Sequence, residues 1–151
     1  MSIQRFKATI AQAGSKTVLP IPFDPDATWG EKPRHHVTGS INGRAVRGAL
    51  VSDGTRHVLS LGAAWCRDND LGVGASVEAE LSPEGPQFAD LAPDLAVALE
   101  ASPSARAFFE GLATFYRKGY LRWIDGARRP ETRASRIREM VGLLEAGKKQ
   151  R

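Results

Sequence analysis

The dipeptide Asn42-Gly43 constrains this chain more than any other feature. It lies in HHVTGSINGRAVRGALVSDGTRHVLSLG, between two runs that alternate in polarity. Both residues tolerate positive φ, so this is the strongest short signal for a two-residue hairpin. Asp53-Gly54 repeats the signal, and residues 56–61 supply the next strand, giving three strands in meander. Residues 3–12 also alternate, with Ile3, Phe6, Ala8 and Ile10 as inward candidates, and SVEAEL at 76–81 alternates again. Pro20 and Pro22 argue against a central strand across TVLPIPF, since neither donates to a ladder. Asp24 before Pro25 predicts a cap and a helical turn up to Trp29, and a short helix is expected at 63–68. Six short strands with tight turns predict a small closed or partly closed barrel.

The period changes near residue 90. PDLAVALEASP, SARAFFEGLA and TFYRKGYLRWIDGA read as helices, with Ser102 and Thr114 as caps. A last helix starts at Pro130, has Glu131 in its first turn, and ends near Gly147. The fold class expected is α+β: a six-stranded β-barrel domain over 1–90, then a helical module of about four helices over 91–151.

Little in the sequence points to catalysis. His35, His36 and His57 lack further ligands at metal spacing, and no metal site or cofactor is expected. The glycines of GVGAS at 72–76 precede a strand rather than a helix, the wrong context for a phosphate. Cys66 beside Trp65 reads as a packed thiol, and no nucleophile elbow is present. No catalytic residue is assigned, and the expectation is a protein that is not an enzyme. One cysteine, no signal-like start and no long apolar run suggest a cytoplasmic protein without a membrane span.

Charge is the feature that remains. Residues 117–151 hold eleven Lys/Arg against four acids, net +7; the whole chain is +4, which leaves −3 on residues 1–116. On a helical wheel the apolar residues Ile137, Met140 and Leu144 fall within about 40° of Arg133, and Arg136 flanks that stripe. Arg133, and with it Arg136, is expected to lie along packed surface and reach a carboxylate or carbonyls. Arg128, Arg129, Arg138, Lys148, Lys149 and Arg151 are left to meet water or an anionic partner. Tyr116, Tyr120 and Trp123 share a helix face, where packing is favoured over a base-stacking platform.

The same residues resemble known families. GSINGRAVRGALVSDGTRHVLSLG, a glycine turn and SVEAEL resemble a small β-barrel domain of unknown function found in bacterial proteins. The stretch from PDLAVALEASP to GLLEAGKK is similar to the helical module of the YdeI/OmpD-associated family. The marks are Pro93-Asp94-Leu95, Leu99, Phe108, Tyr120, Trp123-Ile124, Ala127 and Glu131-Thr132-Arg133, then Arg136-Ile137. Ala75 departs from the pattern, where such a barrel usually has Asp after the glycine. The resemblance implies a bacterial protein connected with bacteriocin protection and tolerance of cationic antimicrobial peptides; it carries no catalytic residue over. A likeness to AbrB-type barrels is one of fold alone.

The reading is therefore a non-enzymatic bacterial binding or interaction protein, in bacteriocin protection or envelope stress, with an unknown protein partner. The candidate binding residues are Arg129, Arg133, Arg136, Arg138, Tyr120 and Trp123. Two alternatives stay open: a nucleic-acid-binding module using the basic C-terminal helices, and an enzyme with a pocket between barrel and helices.

Overall fold

A computed structural model describes residues 3–151. The N-terminal alternating segment forms β1 (Gln4–Thr9) and β2 (Ala11–Ala13), with Ile10 between them. There follow β3 (Lys16–Pro20), the helical turn α1 (Pro25–Trp29), β4 (His36–Ile41), β5 (Arg44–Ser52) and β6 (His57–Leu61). A short helix α2 (Ala63–Asp68) then leads to β7 (Ser76–Pro83). The strand order is β1-β7-β4-β5-β6-β3-β2, and every neighbouring pair is antiparallel. Its two ends are one continuous segment bent at Ile10, so the sheet curls back on itself as a half-barrel. Ile10, Leu19, Val37, Ile41, Leu59 and Leu81 fill the interior, each at most 1% exposed.

Local chemistry explains this curl. Asn42 and Gly43 take φ of 50° and 79°, the turn that matches strand twist. The Asn42 side chain also accepts from the Glu78 N–H at 2.9 Å, tying the hairpin to β7. At Asp53 the carboxylate accepts from the N–H groups of Thr55 and Arg56, closing the second turn. Asp24 caps α1 by accepting from the Asp26 N–H at 3.0 Å. Gly39 is required: a Cβ there would overlap the Glu80 carbonyl oxygen on the neighbouring strand.

The sheet has seven strands, not six. The run at 3–12 divides at Ile10 into β1 and β2, and the prolines hid β3. Pro20 ends that strand, so residues 16–19 pair freely with β2 and β6, and the Ile21 N–H beyond it donates to the His57 carbonyl at 2.9 Å. Ile3 is also a correction: it is one residue out of phase with Phe6, Ala8 and Ile10, and is 56% exposed.

The chain divides into two compact units, Met1–Pro83 and Glu84–Arg151. The second unit holds a 3₁₀ turn (Phe88–Asp90) and four helices: α3 (Pro93–Glu100), α4 (Pro103–Gly111), α5 (Thr114–Asp125) and α6 (Pro130–Glu145). Three of the four start on a proline, which loses no hydrogen bond there. Leu99, Phe109, Ile124, Met140 and Leu144 form its core. Ser102 caps α4, accepting from the Ala105 N–H, and its hydroxyl donates to Glu145 at the far end of α6 at 2.6 Å. Thr114, expected to be a cap, is instead the first residue of α5. Its hydroxyl donates to the Glu84 carboxylate at 2.6 Å, and Ala113 takes the cap position without a side-chain bond.

Candidate functional site: the two faces of helix α5

The buried face of α5 carries Arg117, Tyr120 and Ile124 at helical spacing. Arg117 is 3% exposed. Its guanidinium donates to the carbonyls of Leu112 (3.0 Å), Pro86 (2.5 Å) and Glu84 (2.8 Å). One side chain thereby satisfies three carbonyls in the 84–86 loop and at the α4 terminus, which is why that loop belongs with the helices. Burial lowers the guanidinium's proton affinity, while the charges of Glu84 and Glu110 raise it. Sequence reasoning missed this residue, although the wheel that places Arg133 also places Arg117 on an apolar stripe.

The two candidate arginines on the α6 stripe are both engaged. Arg133 donates to both oxygens of Asp94, at 2.7 and 3.1 Å, and to Asp125 at 2.9 Å. Its guanidinium holds the Asp94 carboxyl below the ordinary aspartate value. This joins the start of α3, the end of α5 and the start of α6. Arg136 donates to the Trp123 carbonyl at 2.6 Å and lies 5.5 Å from the centre of the Trp123 ring. Arg129 and Arg138 are exposed, with Arg129 in the N-cap position of α6.

Tyr120 is 3% exposed and donates its hydroxyl to the Lys148 carbonyl at 2.6 Å, and burial raises its pKa. That bond brings the C-terminal tail back over α5. Lys149 then stands 5.7 Å from the centre of the Tyr116 ring and Arg151 4.5 Å from that of Trp123. Lys149 and Arg151, left by the sequence to meet water or an anionic partner, thus lie on aromatic faces. No local pattern signals this, because the contact is made across the unit.

Between the returning tail and α5 lies a groove of about 540 Å³, lined by Phe115, Tyr116, Gly119, Arg122, Trp123 and Arg151 among others. Phe115 is 73% exposed and meets Tyr116 edge to face at 5.2 Å. Gly119 floors the groove in mid-helix. A Cβ there would touch nothing within 4 Å, and the residue has no positive φ. Neither packing nor backbone geometry explains a glycine that costs about 1 kcal/mol in helix stability. What it does provide is space.

In the sheet unit, His35 is buried and its Nε2 lies 2.6 Å from an Asp26 oxygen, which draws the Asp26 pKa down. Among the described residues no group of three or more His, Cys, Asp or Glu is placed to hold a metal. No helix of the described residues is long and apolar enough to cross a membrane.

Comparison with known proteins agrees with this division. Residues 89–147 match the family described as bacteriocin-protection, YdeI or OmpD-associated. Residues 6–81, about half of the chain, match the domain of unknown function DUF1905. No curated protein matches the chain closely enough to be named as a relative. The chain is thus a YdeI/OmpD-associated family protein whose N-terminal half belongs to the DUF1905 family.

Proposed function

We propose that the protein is a non-enzymatic, cytosolic interaction protein that grips a protein partner through the exposed face of α5. The observation that carries this reading is the groove floored by Gly119 and walled by the exposed Phe115. An exposed aromatic beside arginine is the composition of an interface hot spot. Phe115, Lys118 and Arg122 recur at three- and four-residue spacing, so one helix face presents an apolar anchor followed by two cations. The fitting partner surface is an apolar side chain set beside carboxylates. Bacteriocin protection, the role in the family's description, is the setting in which such a partner is sought.

Nucleic acid fits this face less well. Lys149 and Arg151 already cover the rings of Tyr116 and Trp123, which stacked bases would need. Site-specific photo-crosslinking in bacterial cells tests the proposal. A crosslinking residue at Lys118 should trap one discrete protein, and the same residue at Glu139, exposed on α6, should not. The trapped species should vanish when Arg122→Glu is added. Equal trapping from both positions, or crosslinks to nucleic acid, would refute the reading.

A further inference from the structure

The sheet unit has a second opening, and it is made of backbone. The Ile10 N–H donates to the Ala75 carbonyl at 2.9 Å, and the Glu78 carbonyl is taken from the other side by the Asn42 N–H at 2.8 Å. Antiparallel pairing alternates, so Gln4, Phe6 and Ala8 direct their N–H and C=O groups at β7, with which they pair. Arg5, Lys7 and Thr9 direct theirs the other way. On that side β1 has no ladder partner among the described strands, because its continuation β2 has swung across at Ile10 to pair with β3.

The opposite bank is the stretch after β3. Pro20 and Pro22 have no N–H to offer, and the Ile21 N–H is committed to His57, so this bank cannot zip onto β1. The seam stays open as a cavity of about 940 Å³, with Lys7 and Thr9 on one side, Pro20 and Pro22 on the other, and Arg56 and His57 at one end. Ala8, Ile21 and Phe23 give it an apolar floor.

We propose that this seam binds an extended acidic peptide segment, added as a strand along the free edge of β1. The backbone groups of Lys7 and Thr9 would pair with it, as in other strand additions. Lys7 and Arg56, whose ion pairs with Glu78 (3.9 Å) and Asp53 (3.7 Å) are long and exposed, would meet its carboxylates away from Asp24, the one acid in the lining, and its alternate apolar side chains would enter the floor between Ala8 and Phe23. A second copy of this chain is the poorer occupant. Antiparallel pairing of β1 with itself, centred on Lys7, sets Lys7 against Lys7. Nucleic acid would use the cations but would leave the strand edge unpaired.

Hydrogen exchange by NMR on the full chain tests this, with a capped octapeptide of alternating glutamate and valine as the probe. In the free protein the Phe6 and Ala8 amides should exchange slowly and those of Lys7 and Thr9 fast. Saturating peptide should slow Lys7 and Thr9 by roughly tenfold or more, the mark of a newly formed bond. Lys7→Glu with Arg56→Glu, both at exposed positions, should weaken peptide binding roughly tenfold or more through lost charge-assisted contacts. The matching lysine–valine peptide should not protect these amides. The proposal fails if the acidic peptide leaves Lys7 and Thr9 unprotected, if the lysine peptide protects them equally, or if an oligothymidylate binds in the peptide's place. Because the exchange pattern is read on the unaltered protein, a variant that folds poorly does not blunt the test.

Discussion

Helix α5 carries arginine on both faces, and the two are put to different uses. Arg117 points inward and is consumed by the carbonyls of Leu112, Pro86 and Glu84, the last of which also accepts from the Gln87 side chain. Arg122, five residues on, lines the open groove above Gly119 and makes no ion pair among the described residues. The residue type is the same; its place on the wheel decides whether it is spent on the fold or left at the open groove. Basic composition alone therefore says little about binding. Much of the C-terminal charge is internal wiring: Arg117, Arg133 and Arg136 each tie two or more segments together.

The largest expected effect breaks the inward side of this comparison. Arg117→Ala removes the donor from the buried Leu112 carbonyl and the half-buried Pro86 carbonyl and should cost about 3 kcal/mol, read from urea denaturation. Arg117→Lys should rescue little, since one ammonium cannot span three carbonyls set around a planar fork. A loss below about 0.5 kcal/mol would show that the carbonyls find other partners.

Arg133→Ala comes next, at about 1 kcal/mol, because Asp94 and Asp125 are half-exposed and solvent screens the pairing. Its sign with pH follows from Asp94, whose folded pKa lies below the unfolded one. That contribution is present above the ordinary aspartate value, about 4, and fades as pH falls through the folded pKa. Denaturation midpoints from pH 7 down to 2 should therefore show a shallower acid loss in Arg133→Ala than in the wild type. Parallel curves would remove Asp94 from the account. On the outward side, Arg122→Glu should leave the midpoint within about 0.5 kcal/mol of wild type while abolishing the crosslink from Lys118.

Which features were legible in the sequence follows the reach of the interactions. The Asn42-Gly43 hairpin, the Asp24-Pro25 start, the alternation of β7 and the proline starts of α3 and α6 are set by neighbours within a few residues, and each is found where the pattern places it. Strand β3 is obscured in the sequence because Pro20 and Pro22 read as breakers, whereas each removes only its own donor and leaves residues 16–19 free to pair. The position of Arg133 on a packed stripe was readable from the wheel; its partners Asp94 and Asp125 lie in other helices and were not. Arg117 lies on an apolar stripe by the same test, with Tyr120 and Ile124 at three and seven residues on, but its carbonyl partners leave no mark in the sequence. The returned tail and the groove it borders depend on the Tyr120–Lys148 bond, which spans 28 residues and leaves no periodic trace.

The role proposed for Gly119, keeping space open above α5 for a partner, is separated from its effect on stability by a pair of substitutions. Gly119→Ala and Gly142→Ala both place a methyl group in open space on a helix, so both should raise stability by about 0.5–1 kcal/mol. Only Gly119 floors the groove. With stability and the crosslink from Lys118 measured together, both variants should be stabilised and only Gly119→Ala should lose the partner. A Gly119→Ala protein that is stabilised and still captures the partner as well as the wild type would contradict it.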